Sequence, residues 1–488
     1  MNINDASTAS ADPNVEQGMD LKKSYKPSWV FAMALGAAIG WGAFILPFDW
    51  MQTGGLGGTL IGFLIGGASI GIIALSYGYI IRALPVTGGG VAYALAALGK
   101  KHAFIAGWSL TLGYAGCVAL NASAVTLAFR VTAPDWFMRI PLYEIAGWTI
   151  YLPEVFIASA FILAFAWINI QGTALSGRFQ FISVMFLICS VGIITISMLV
   201  YYVIEQPELA PAFPTDSSPW LAILTIVAFA PWAYIGFDSI PQLAGEFDFS
   251  PRKALKLLMW GVITATAVYL AMMISTTIAV GVNHADFENE GWPPAIAISE
   301  VMGPFGLILM LVSVFAGVLT GLNGFFTAAS RVLFTLGKTG LIPRRFALVH
   351  EAKDTPYIAI AFTAIICLIS PWFGRAALTW VVDMTSVGIT IAYFYTCYAC
   401  WKISRHGQIP GMTKSLASSR RWQTVSLLGC VLSLAFLALL VIPGSPGALS
   451  LPATIALLVW ISMGVTFYLS RLNIISGITD EQMREAAF

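Results

Sequence analysis

Charge is what this sequence lacks. Only 10% of its 488 residues are Asp, Glu, Lys or Arg, while 58% are hydrophobic; soluble domains carry about a quarter charged residues. Such a composition belongs in lipid and argues against a soluble enzyme or a secreted disulfide scaffold. The formal net charge is +1, so there is no basic excess to neutralise a phosphate backbone and no nucleic-acid partner is expected. Histidine is equally scarce. His102, His284, His350 and His406 fall at the ends of apolar runs or between them. No cluster of His, Asp or Glu lies within a run, which argues against a membrane enzyme and leaves neither a metal nor a cofactor expected. The cysteines all sit inside apolar runs, where reduced Cys acts as a small hydrophobe. Cys397 and Cys400 make a single C-x-x-C with no second pair or nearby His, too little for a metal site. No G-x-x-x-x-G-K-[ST] loop occurs, which disfavours ATP hydrolysis within the chain.

What is abundant is long apolar sequence. A spanning helix needs roughly 20 apolar residues, and twelve runs qualify: 28–51, 56–81, 103–129, 153–171, 179–204, 219–245, 257–282, 303–330, 356–373, 377–401, 423–443 and 449–470. The pattern predicts an all-α polytopic membrane protein with 12 transmembrane helices. Residues 1–24 are polar and are expected to form a disordered cytoplasmic tail, 25–471 a transmembrane domain, and 472–488 a cytoplasmic C-terminal tail. The first run lacks a small-residue cleavage pattern and is expected to be retained. An even number of spans puts both termini on one side. Of the 25 Lys and Arg, 22 fall in the tails or the even-numbered connections; only Arg130, Arg139 and Arg375 fall opposite, so both termini are expected in the cytoplasm. Acidic residues of the connection 283–302, Asp286, Glu288, Glu290 and Glu300, are then exterior.

The first and sixth runs carry the strongest local signal. The first reads LGAAIGWGAFILP, with Gly36, Gly40 and Gly42 about ten residues in; the sixth reads FAPWAYIGFDS, with Pro231 and Gly236 at a similar depth. Proline removes a backbone donor and clashes with the preceding turn, and glycine lets the backbone unwind. In hydrocarbon, freed polar groups are tolerated only where they line a cavity or are buried in protein. Two breaks at matching depth, in helices entering from opposite faces, are the expected trace of an inverted-repeat transporter. Half-helix N-termini suit a carboxylate and C-termini an ammonium. The alternative is a pair of glycine-rich packing helices.

The motifs are similar to those of the amino acid-polyamine-organocation superfamily of secondary transporters over roughly residues 27–471. Gly40-Trp41-Gly42-Ala43-Phe44-Ile45-Leu46-Pro47 followed by Thr53-Gly54-Gly55 resembles its G-x-G-x-F-x-x-P…TGG signature, and Pro85, Gly88-Gly89-Gly90 and Tyr93 its stretch after the second helix. Asn169, Gly172, Ser176 and Gln180 resemble the start of helix five. Trp232-Ala233-Tyr234-Ile235-Gly236-Phe237-Asp238, with Glu246, Pro251 and Arg252, resembles the helix-six signature, and Ser330-Arg331, Gly340-Leu341 and Pro343 the end of helix eight. The resemblance implies a five-plus-five inverted repeat of the leucine-transporter type with discontinuous helices 1 and 6, plus two further helices, working by alternating access on an amino acid or amine. It places a substrate carboxylate on the amides of Gly40, Trp41, Gly42 and Ala43, and an ammonium on the carbonyls of Ala230, Pro231 and Ala233. Trp232 would be an aromatic wall or gate. Asn121 would be a polar contact or a helix-to-helix hydrogen bond, and Phe325 a second wall or core packing.

Two departures stand out. Trp41 occupies a turn position where relatives often have a small residue, and helix five lacks the Lys that some members use in place of sodium. Coupling would then rest elsewhere. Asp238, just past the second break, is expected to be a proton-coupling or gating group, since intramembrane carboxylates are costly enough to be functional by default. Asp383 is a second candidate, and Asp49 lies nearer the exterior. Thr320 and Thr327 carry hydroxyls suited to sodium, although such groups commonly bond to their own backbone. The function expected is secondary active transport of amino acids or amines across the cytoplasmic membrane, proton-coupled or by exchange; the alternative is a transport-fold solute sensor signalling through a partner.

Overall fold

The computed structural model of the protein describes residues 21–288, 290–407 and 419–488; most of the polar N-terminal tail and Lys414 lie outside the described residues. The first apolar run is broken where glycine allows it. Helix α1 (Pro27–Ile39) opens with Pro, whose missing N–H costs nothing in a first turn. It stops at Gly40, which takes φ of +52°, a conformation that a Cβ would strain. After Trp41 the chain resumes as one turn, α2 (Gly42–Ile45). Helix α3 (Pro47–Ala83) holds the end of the first run and all of the second, divided at Gly55 (φ +63°), where a Cβ would lie 2.6 Å from the Ala212 carbonyl oxygen.

A short helix, α4 (Gly89–Leu98), leads into α5 (Lys100–Thr132). An antiparallel hairpin of β1 (Pro141–Ile145) and β2 (Trp148–Tyr151) then connects to α6 (Leu152–Ile170) and α7 (Thr173–Glu205). The sixth run is fragmented into α8 (Pro219–Ala228), the single turn α9 (Ala230–Ala233), an irregular stretch through Gly236 (φ +128°), and α10 (Ser239–Gln242). Beyond it come α11 (Ala254–Val280), the connecting helix α12 (Pro293–Met302), α13 (Pro304–Lys338), α14 (Tyr357–Cys367), α15 (Gly374–His406), α16 (Arg420–Val441) and α17 (Leu451–Ser470). Among the described residues nine helices are long and apolar enough to cross a membrane; α1, α4 and α8 are apolar but shorter. The chain is a mostly helical, polytopic membrane protein.

Burial sorts the helices. Helix α5 packs against α13 and α15, and α1 against α7, α11 and α13, so the broken first run lies at the centre. The outward faces of α7, α16 and α17 expose Phe186, Val203, Leu434, Leu458 and similar residues, as helices facing lipid should. Three features were not anticipated from the sequence. The hairpin is one; Arg130 at the end of α5 anchors it, donating to the Thr149 carbonyl at 2.6 Å and to the Glu154 carboxylate. Residues 472–488 are the second: they fold as α18 (Leu472–Gly477) and α19 (Asp480–Ala487) and dock beside α4. The Lys100 ammonium donates at 2.9 Å to the carbonyls of Ile475 and Ile478, and Asp480 accepts from the Lys100 amide. Each segment thereby caps the other's helix end. The third is a buried ion pair. Arg331 of α13 meets Glu246 through two hydrogen bonds of 3.0 and 2.9 Å, and the main-chain amides of Ser24 and Tyr25 donate to the Glu246 carbonyl at 2.9 and 3.0 Å.

Candidate functional site

The two breaks face one another across one small cavity. Gly40, Trp41 and Gly42 line it from the first, Trp232 and Ile235 from the second, Cys117, Leu120 and Asn121 from α5, Tyr269 from α11 and Phe325 from α13. Gly236 makes the approach possible. A Cβ there would stand 2.4 Å from the Ala38 nitrogen and 2.6 Å from the Ala37 carbonyl carbon, so the second break presses directly on the backbone of the first.

The unwound first break leaves polar groups free. The amides of Trp41, Gly42 and Ala43 donate to no acceptor among the described residues, as expected for the first turn of a helix with no capping side chain. On the opposite wall, the Tyr269 hydroxyl lies 2.8 Å from the Ala233 carbonyl, 2.9 Å from that of Ala38 and 3.2 Å from that of Ile39. One hydroxyl proton serves one carbonyl at a time, so lone pairs remain for a further donor. The Ala230 carbonyl is taken by the Tyr234 amide at 3.1 Å, and the Ala230 side chain faces α3 at Gly66. Of the carbonyls expected from the resemblance, Ala233 is the one that meets the first break, through the Tyr269 hydroxyl it shares with Ala38.

Trp41 answers the question raised by its size. Its ring packs edge-on against Trp232 with centroids 5.5 Å apart, and both rings are buried. The pair fills most of the space, and the cavity left is about 20 Å³, room for roughly one water molecule. Asn121 donates from Nδ2 to the Cys117 carbonyl of its own helix at 2.8 Å, while its buried Oδ1 has no partner among the described residues. Phe325 stacks on Tyr114, centroids 6.2 Å apart.

Asp238 sits just beyond. Oδ2 accepts from the Tyr114 hydroxyl at 2.6 Å and Oδ1 from the Gly236 amide at 2.9 Å; Gln242 Nε2 donates to the Tyr114 oxygen and to the Asp238 carbonyl at 3.2 Å each. The carboxyl is fully buried, and no Lys, Arg or His pairs with it among the described residues. Asp383 stands apart, near the start of α15, where Oδ2 accepts from the Ser450 amide and hydroxyl. From α7, Gln180 ties α1 to α13: Nε2 donates to the carbonyls of Ala32 and Thr320 at 3.2 and 3.1 Å. The Thr320 hydroxyl donates within α13 and to α1, and that of Thr327 to Asn169 Oδ1 at 2.6 Å.

Sequence reasoning missed Tyr269, Tyr114 and Trp292. Trp292, from the acidic connection before α12, donates from Nε1 to the Phe44 carbonyl at 2.9 Å and covers the end of α2. The Trp-Pro-Pro start of that helix was the available signal, since a buried indole needs an acceptor.

A family model described as amino acid permease matches residues 28–467. The chain is 25% identical over 360 residues to the methylthioribose transporter of Bacillus subtilis, covering 72% of this chain and 75% of that protein. It is 25% identical over 346 residues to the branched-chain amino acid permease BcaP of the same organism, covering 68% and 70%. To the lysine-specific permease LysP of Lactococcus lactis it is 22% identical over 405 residues, covering 77% and 76%.

Proposed function

Because this chain belongs to the amino acid permease family, we propose that it is a secondary active transporter of neutral amino acids, working by alternating access in the cytoplasmic membrane with both termini in the cytoplasm. The observation that carries this reading is the small cavity between two broken helices, with unspent amides on one side and Tyr269-linked carbonyls on the other. A carboxylate suits the amides of Trp41, Gly42 and Ala43, and an ammonium the carbonyls of Ala38, Ile39 and Ala233. The twelve apolar runs are read as twelve spans, with the first ten forming the inverted repeat.

The rest of the wall sets the side chain. Cys117, Leu120, Ile235, Phe325 and the two indoles are apolar, and Asn121 is the one polar side chain beside Tyr269. No ionised group lines the cavity to pair with a Lys or Arg substrate, and a buried charge without a partner is costly. Branched, thioether and aromatic side chains fit instead. Trp41 and Trp232 must part to admit them, so the two indoles form the gate.

Asp238 is proposed as the coupling group. Its carboxyl is held by Tyr114 and the Gly236 amide and contacts the second break directly, so a change in its charge acts on the turn that presses on α1. Asp238→Asn is expected to flatten the pH dependence of transport while substrate binding stays measurable. An unchanged pH profile in this variant would place coupling elsewhere.

The transport reading is tested with proteoliposomes offered a pool of amino acids, polyamines and methylthioribose, read by mass spectrometry. Neutral amino acids are expected to accumulate, in empty vesicles under an inward proton gradient or in vesicles preloaded with the pool. No uptake in either condition would overturn the proposal.

A further inference from the structure

A second concavity lies on the opposite side of α5. It is a groove of about 610 Å³ between α5, α14, α15 and α17, within the ~300–1,000 Å³ typical of built ligand sites. Ala115, Gly116 and Ala119 make its floor, and their small side chains are why the helices do not close over it. Two polar side chains in its wall are already engaged: Cys367 Sγ donates to the Ala115 carbonyl at 3.2 Å, and Ser370 Oγ to the Cys367 carbonyl at 2.9 Å. The buried Trp460 Nε1 has no partner among the described residues, and the remainder of the wall is predominantly apolar. Its edges, Ile369, Phe373 and Ile455, are exposed to the surrounding hydrocarbon.

Length and charge identify the occupant. Along α17 the groove runs from Leu451 to Trp460, about 13 Å of helix, close to half of the ~30 Å hydrocarbon core. That is the depth one acyl chain covers in one leaflet. Asp383 does not itself line the groove but is next in sequence to the lining residue Met384, and it bridges α15 to Ser450, the residue before the lining residue Leu451; no Lys, Arg or His pairs with it among the described residues. A rim carboxylate attracts an ammonium headgroup and repels an anionic one.

We propose that this groove binds one phospholipid with a primary-ammonium headgroup, its acyl chain lying on the α5 floor and its ammonium beside Asp383. The assignment to the outer leaflet rests on the orientation proposed above; the binding does not. The other face of α5 carries Cys117, Leu120 and Asn121 into the substrate cavity. A chain packed behind Ala115, Gly116 and Ala119 therefore holds those residues in place, and an unfilled groove forfeits contacts along the same helix. The lipid acts as an effector of the substrate site.

The test compares the purified full-length protein with Ala456→Trp, which fills the groove from α17 without touching the substrate cavity, and with Asp383→Asn. Each is read by native mass spectrometry after exchange into dioleoyl-phosphatidylethanolamine or dioleoyl-phosphatidylglycerol. The unaltered protein is expected to retain one phosphatidylethanolamine in preference to phosphatidylglycerol. Ala456→Trp should lose the retained lipid, and Asp383→Asn should keep a lipid but lose the headgroup preference. Substrate affinity should fall roughly fivefold or more on delipidation and recover with phosphatidylethanolamine alone, in line with typical couplings between sites. Equal lipid retention in Ala456→Trp, or equal or tighter binding of phosphatidylglycerol by the unaltered protein, would overturn the proposal. Both readouts of lipid binding stand even if no transported substrate is found.

Discussion

Gly236→Val is expected to abolish substrate binding while leaving membrane insertion intact. Two penalties coincide at this position. The residue has φ of +128°, which side chains rarely adopt, and the added Cβ would stand 2.4 Å from the Ala38 nitrogen. The two nearest obstructing atoms are backbone and the third is the Ala37 Cβ, none of which can rotate away as a flexible side chain would. Left-handed strain and overpacking each cost about 1–3 kcal/mol, so affinity should fall about a hundredfold or more. The second break would be pushed off the first, parting the amides of 41–43 from the Tyr269-linked carbonyls. Gly192→Ala is the matched control, because nothing lies within 4 Å of a Cβ there. Affinity measured on both purified variants decides the matter; normal binding by Gly236→Val would mean that the two breaks need not touch.

Arg331→Met should damage the protein most severely, and by a different route. The side chains of Arg331 and Glu246 are each 1% exposed, so removing the cation strands a carboxylate in a site without water. Breaking a buried pair on one side costs about 3–5 kcal/mol, whereas replacing both partners with apolar groups is often neutral. The double variant Glu246→Leu/Arg331→Met is therefore expected to recover thermal stability that either single variant loses. It should not recover transport control, because the side-chain tie between α13 and the segment after α10 is lost, even though the main-chain bonds from Ser24 and Tyr25 to the Glu246 carbonyl remain. Thermal midpoints in detergent, set beside vesicle leak, separate the two effects. A double variant less stable than both singles would show that the pair is needed for more than charge balance.

How much of this was legible beforehand depended on whether a signal was local. Gly40 and Pro231 announce the breaks because their backbone preferences act at their own positions, and the apolar runs set the helices for the same reason. Asn121 and Phe325 came into view only through the family's motifs, since neither differs in type from ordinary helix residues. The groups that complete the site were hidden by distance. Tyr269 meets Ala38 across 231 positions and Arg331 meets Glu246 across 85. A tyrosine in an apolar helix reads as packing until its hydroxyl is seen to reach a carbonyl. Asp238 was noticed because an intramembrane carboxylate is conspicuous, but its partner Tyr114 was not. The 141–151 hairpin left a weak trace in Ile145-Ala146-Gly147-Trp148, a turn with positive φ at Ala146 and Gly147, overshadowed by the flanking apolar runs.

The edge-on contact of Trp41 with Trp232 has an optical consequence. Two indoles held this close and at a fixed angle share their electronic excitation and impose a handed signature on the protein's ultraviolet absorption of circularly polarised light. On the gating proposed above, parting the rings to admit a solute would dissolve that signature, so opening of the site would be readable in the unlabelled protein from its own spectrum.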